Sequence, residues 1–90
     1  MNPNPFSLTG KTILITGASS GIGKASAIQC STMGANVIIT ARDEQRLNQT
    51  FCFLDTSKQN ISIIADLTNK EDIDRLISEL PIIDGVMLCA

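Results

Sequence analysis

The sequence predicts an α/β protein: a doubly wound parallel sheet with strand order 3-2-1-4, built from a β-α-β-α-β-α-β run. Three observations lead there. Four short apolar runs alternate with three helix-like stretches. The runs string Ile, Leu and Val together without polar alternation, which is the pattern of strands covered on both faces. Each connection is long enough for the helical crossover that parallel strands require, and right-handed crossovers give that strand order.

The elements follow in order. The first run, 12–16, carries Ile13, Leu14 and Ile15. A turn bearing Gly17, Gly21 and Gly23 comes next. A helix over about 22–33 then stops at Gly34, the residue type expected just past a helix C-terminus. The second strand, 36–40, centres on Val37, Ile38 and Ile39. Asp43 is placed to cap a helix in which Leu47, Phe51 and Leu54 recur at i, i+4 and i+7. Residues 61–65 form a third strand. Thr68-Asn69-Lys70-Glu71 has the capping-box spacing, with Thr68 as the cap. The helix it opens places Ile73, Leu76, Ile77 and Leu80 on one face. Pro81 ends that helix, Asp84-Gly85 turns the chain, and 86–89 make the fourth strand. Residues 1–10, with Pro3 and Pro5, read as a leader ordered near Phe6 and Leu8.

Composition narrows the function. Ninety residues make one domain, and a hydrophobic fraction of 43% is too high for disorder. The net charge of −2, with seven scattered basic residues, leaves no footprint for nucleic acid or an anionic membrane. The chain has no His, which removes Ser-His-Asp triads and His-based metal sites; no metal is expected. Cys30, Cys52 and Cys89 are odd in number and lack a C-x-x-C, so they read as small buried apolar side chains in a reducing compartment. Neither a signal-peptide core nor an apolar run of membrane-spanning length is present, and the expected location is cytoplasmic.

The turn Gly17-Ala18-Ser19-Ser20-Gly21-Ile22-Gly23 carries the chemistry. Strand, glycine loop and helix N-terminus together make an anion site, because unpaired backbone N–H groups and the helix dipole point at the ligand. Gly17 permits the abrupt exit from the strand. Gly21 leaves room for a pyrophosphate against the backbone, and Gly23 lets the helix pack close to the first strand. Ser19 and Ser20 add hydroxyl donors. A Walker A loop is excluded, since it needs Gly at 18 and Ser or Thr at 25 and both positions are Ala. Lys24 then reads as a solvated helix residue.

Thr16-Gly17-x-x-x-Gly21-Ile22-Gly23 resembles the cofactor motif of the short-chain dehydrogenase/reductase family, a group with a Rossmann-type fold. Ala65-Asp66-Leu67 resembles the family's Asp-hydrophobic pair after the third strand, which implies Asp66 at the adenine amine and Leu67 along the ring; a cap of the following helix is the other role open to Asp66. Leu88-Cys89-Ala90 falls where the family has Asn-Asn-Ala-Gly, departing from it by Leu88 and Cys89. That position implies that Cys89 and Ala90 line the ribose side through backbone groups. Ile22 belongs to the same cofactor motif.

The end of the second strand separates a 2′-hydroxyl from a 2′-phosphate. An acid there accepts from the ribose diol, whereas an Arg favours the phosphate. Here Ala41 stands at the acid's position and Arg42 follows, about 20 residues past the glycine turn, where the selector is expected. NADP(H) is therefore the expected cofactor and NAD(H) the alternative. Arg42 could instead pair on the surface with Asp43 or Glu44, a pair of little energetic weight.

The resemblance implies an oxidoreductase moving hydride between the nicotinamide and a carbonyl or alcohol carbon, with a Tyr, Lys and Ser acting on the substrate. This chain has no Tyr, and Ser19, Ser20 and Ser26 are in the turn or first helix, so no catalytic residue is assigned. The segment Phe6-Ser7-Leu8-Thr9-Gly10-Lys11-Thr12 and Thr40-Ala41-Arg42 resemble the 3-oxoacyl-(acyl-carrier-protein) reductase branch. Residues 11–90 are expected to be the N-terminal cofactor-binding part of a domain that continues into a catalytic part. The complete protein would take a small carbonyl or alcohol substrate and form a homo-oligomer. The competing expectations are a non-catalytic nucleotide-binding module and an inactive fragment.

Overall fold

The computed structural model describes residues 7–89; Phe6, the remainder of the leader before it and Ala90 lie outside the described residues. Within them the order is β1 (Thr12–Thr16), α1 (Gly21–Thr32), β2 (Asn36–Ala41), α2 (Glu44–Phe51), β3 (Ile61–Ile64), α3 (Lys70–Glu79) and β4 (Gly85–Met87). The four strands form one parallel sheet in the order β3-β2-β1-β4. This is the Rossmann-type arrangement expected from the alternation of runs and helices.

The unalternating strands have a clear cause. On one face Ile15, Val37 and Ile39 pack with Ala27 of α1 and Leu47 of α2. On the other, Leu14, Ile38 and Ile63 pack with Leu76 of α3. Adjacent strand residues thus point into two separate apolar layers, so apolar side chains fill both parities through the middle of the strands, and the buried Thr16 and Thr40 stand at their carboxyl ends by the cleft. Val37, Ile38 and Ile39 are fully buried, each worth about 1.5–3 kcal/mol relative to exposure. Leu8 packs on the first layer, and its N–H donates to the Met33 carbonyl, anchoring the end of the leader.

Several boundaries and faces differ from expectation. α1 begins at Gly21 and ends at Thr32, with Met33 as its cap. α2 stops at Phe51, so Leu54 reaches the core from the following turn while Phe51 is left exposed. α3 is capped by Asn69, whose side chain accepts from the Glu71 and Asp72 N–H groups. Thr68 stands one residue before the cap position, and its hydroxyl is turned to donate to Asp66 instead. Leu76 is the centre of the buried face of α3; Ile77, about 100° further round the helix, is 62% exposed. β4 is three residues long and leaves Leu88 and Cys89 beyond it. Cys30 is buried, and that burial pushes its thiol pKa up, but Cys52 is exposed and Cys89 half-buried, so only Cys30 fits the expected role fully. Lys24 is not simply solvated: its Nζ lies 5.1 Å from the centroid of the Phe53 ring.

Candidate functional site

Every parallel strand ends on the same edge of the sheet, and the loops that leave those ends enclose a cleft of about 440 Å³. Such a volume lies within the range of small-molecule sites. Its position is set by topology. The chain winds from β1 through β2 to β3 on one side and then crosses to β4 on the other, opening a crevice beyond the carboxyl ends.

The turn after β1 is made by backbone. Gly17 has φ +61° and Gly21 φ +58°, the left-handed region that side chains disfavour. Gly23 is required for a different reason: a Cβ there would overlap the Gly17 carbonyl. α1 therefore starts directly against the turn. Ser20 caps it through extended backbone without a side-chain hydrogen bond, and the first turn contains no acidic residue. The first helical bond runs from the Lys24 N–H to the Ser20 carbonyl at 3.3 Å. The earlier N–H groups have no intrahelical acceptor and present a positive end suited to an anion.

A residue that sequence patterning passed over braces this turn. The buried Thr50 hydroxyl, on α2, donates to the Ala18 carbonyl at 2.9 Å. Its signal was its place three residues after Leu47, on the buried side of a polar helix. A second brace joins the turn to β4. Thr16 Oγ1 accepts from the Cys89 N–H at 3.0 Å and donates to the Cys89 carbonyl at 3.2 Å. That bond holds Cys89 at the cleft although β4 has already ended.

The opposite wall is made by side chains. Arg42 leaves the end of β2, and Asp43 next to it caps α2 by accepting from the Arg46 N–H at 3.0 Å. Asp66 leaves β3 in an Asx turn, its carboxylate accepting from the Thr68 hydroxyl at 2.7 Å and N–H at 2.9 Å. Those bonds, with the nearby Arg42 charge, hold the Asp66 carboxyl below the usual carboxylate range. Its backbone is fixed separately, since the Asp66 N–H donates to Asp72 Oδ2 at 2.8 Å and Arg75 donates to the Ile64 carbonyl. Asp66 thus stays ionised without serving as the α3 cap.

Of the residues expected at the site, Gly17, Ser19, Ser20, Arg42, Asp66, Leu67 and Cys89 line this single cleft. Gly21, Ile22 and Gly23, the first residues of α1, do not line it, and Ile22 is largely exposed. Ala90 is outside the described residues. The structure adds Ala41, Asp43 and Arg46 at the β2–α2 end, and Thr40, Ala65 and Thr68. Thr40 is fully buried, and its hydroxyl has no hydrogen-bond partner among the described residues. Among those residues no cluster of metal-ligating side chains occurs, and no helix is long and apolar enough to cross a membrane.

The chain is similar to proteins with this same construction. The short chain dehydrogenase family matches residues 11–86. A 3-oxoacyl-[acyl-carrier-protein] reductase of Rickettsia felis is 45% identical over 83 residues, which cover 91% of this chain and 33% of that protein. A 3-ketodihydrosphingosine reductase of Aspergillus fumigatus is 39% identical over 83 residues, covering 86% of this chain and 23% of that one. The chain therefore spans a quarter to a third of the length of these curated relatives. Among solved structures, the RhlG/NADP active-site complex of Pseudomonas aeruginosa is 35% identical with a TM-score of 0.82, covering 94% of this chain and 36% of that chain. With the family match running from the start of β1 into β4, and the glycine turn and cleft in the middle of it, the chain belongs to the short-chain dehydrogenase family.

Proposed function

We propose that this chain supplies the cofactor-binding part of an NADP(H)-dependent oxidoreductase that interconverts a carbonyl and an alcohol. The observation that carries the cofactor choice is Arg42 lining the cleft at the end of β2, directly after Ala41, where no carboxylate stands to hold a ribose diol. The site fits a dinucleotide phosphate on its own chemistry. The glycine turn offers free N–H groups to a pyrophosphate, a Cβ would close the approach of α1 at Gly23, and an arginine faces the same cleft.

Bound nicotinamide would supply hydride chemistry. The role of this chain's residues is binding and orientation: the turn of 17–23 takes the pyrophosphate, Asp66 and Leu67 take the adenine, and Arg42 takes the 2′-phosphate. The backbone at Cys89, held by Thr16, faces the ribose. The names of the Rickettsia and Aspergillus relatives both describe reductases of a 3-oxo or 3-keto compound, which supports a 3-oxoacyl type of substrate for the complete enzyme. The Pseudomonas complex with NADP supports the choice of cofactor.

Titration with NADPH and NADH tests this, read from the nucleotide's own emission. Wild type is expected to bind NADPH more tightly. Arg42→Ala is expected to weaken NADPH by roughly tenfold and leave NADH nearly unchanged. A variant that keeps the wild-type preference would remove Arg42 as the selector.

A further inference from the structure

Arg46 stands on the first turn of α2, four residues after Arg42, and both line the same end of the cleft with Asp43 between them in sequence. Its guanidinium is loosely held. Nε lies 3.7 Å from Asp43 Oδ2, beyond hydrogen-bond distance, and the side chains are 65% and 47% exposed. An ion pair of that kind contributes little and breaks readily. The tighter link between the two residues is made by the Arg46 N–H to Asp43 Oδ1, and it survives any movement of the guanidinium.

We propose that Arg46 is a second specificity-determining residue, which leaves Asp43 on binding and joins Arg42 in clamping the 2′-phosphate. This rests on the NADP(H) assignment above. A phosphate monoester carries close to two negative charges and three acceptor oxygens, enough to engage two guanidinium groups at once. Arg42 lies near Asp66, which offsets part of its charge, and a second cation restores the positive balance at this end of the cleft. Asp43 then has two opposed effects: it caps α2, and its second oxygen competes with the phosphate for Arg46.

The test uses the same NADPH and NADH titrations on the full chain, with Arg46→Ala, Arg46→Lys and Asp43→Asn. Arg46→Ala is expected to weaken NADPH by roughly three- to tenfold and leave NADH unchanged, with Arg46→Lys recovering part of the loss. Asp43→Asn keeps an equally good cap while removing the competing charge, so NADPH should bind more tightly. Thermal melts accompany each variant, because a purely structural role would lower the melting temperature without moving the NADPH/NADH ratio. Arg46→Ala with an unchanged ratio, or equal losses for both nucleotides, overturns the proposal. Weaker NADPH binding by Asp43→Asn overturns the competition. A wild type that binds both nucleotides alike would instead overturn the NADP(H) assignment itself.

Discussion

The turn after β1 and the loops after β2 and β3 face one cleft, but the first presents backbone and the others present side chains. At the turn, the N–H groups are fixed by two left-handed glycines and by the close approach of Gly23 to the Gly17 carbonyl. Such a surface reads charge and shape, which every dinucleotide pyrophosphate shares. Across the cleft, Arg42, Arg46, Asp43 and Asp66 are exposed or half-buried, and their arrangement depends on weak pairs and local turns. The difference separates two tasks. On the proposed function, the backbone site would hold the common part of the ligand, while the exchangeable side chains would distinguish one 2′ substituent from another.

Substitutions at the two walls should therefore differ in kind. The largest effect is expected at Gly23→Ala. The new methyl group overlaps a carbonyl oxygen of the turn, an overpacking cost on the order of 3 kcal/mol. For a domain of this size the melting temperature should fall by roughly 12 °C or more, and both nucleotides should be lost together. A variant with wild-type stability would show that the turn yields where the packing says it cannot. Thr50→Val should have the next largest effect. It leaves the Ala18 carbonyl without its buried partner, at about 1–3 kcal/mol. NADPH and NADH should then weaken by the same factor, measured by paired titrations. A change in their ratio would mean that the two walls are coupled through α2.

What was legible in the sequence follows the same division. The strands and the turn depend on local rules: apolar runs without alternation, and glycines at fixed offsets between a strand and a helix. Those rules place Gly17 at the turn and Arg42 at the end of the second strand, whereas Asp66 is legible only through the resemblance of Ala65-Asp66-Leu67 to the family's motif. The errors lie where neighbouring groups compete. Thr68 and Asn69 are both of a capping residue type, and because α3 starts at Lys70 it is Asn69 that caps it, while the Thr68 hydroxyl turns to Asp66. Ile77 satisfied the helical period, yet only the face centred on Leu76 meets the sheet. Leu54 is buried like Leu47, but from the turn beyond α2, while Phe51 at the end of the helix is left exposed although it keeps the helical period. Arg46 was passed over because a basic residue on a polar helix carries no pattern of its own. Its place on the cleft is a tertiary fact, the first turn of α2 lying beside the end of β2, and it shows only once the fold is known.

The division between the two walls is tested most directly by backbone amide chemical shifts of the chain titrated with NADPH and with NADH. The amides of Gly21, Ile22 and Gly23 are expected to move alike with both nucleotides. Those of Arg42, Asp43 and Arg46 are expected to move further with NADPH, because the 2′-phosphate draws both arginines and disturbs the cap. Identical shifts of the β2–α2 amides with the two nucleotides, or a glycine turn that responds to neither, would contradict the account.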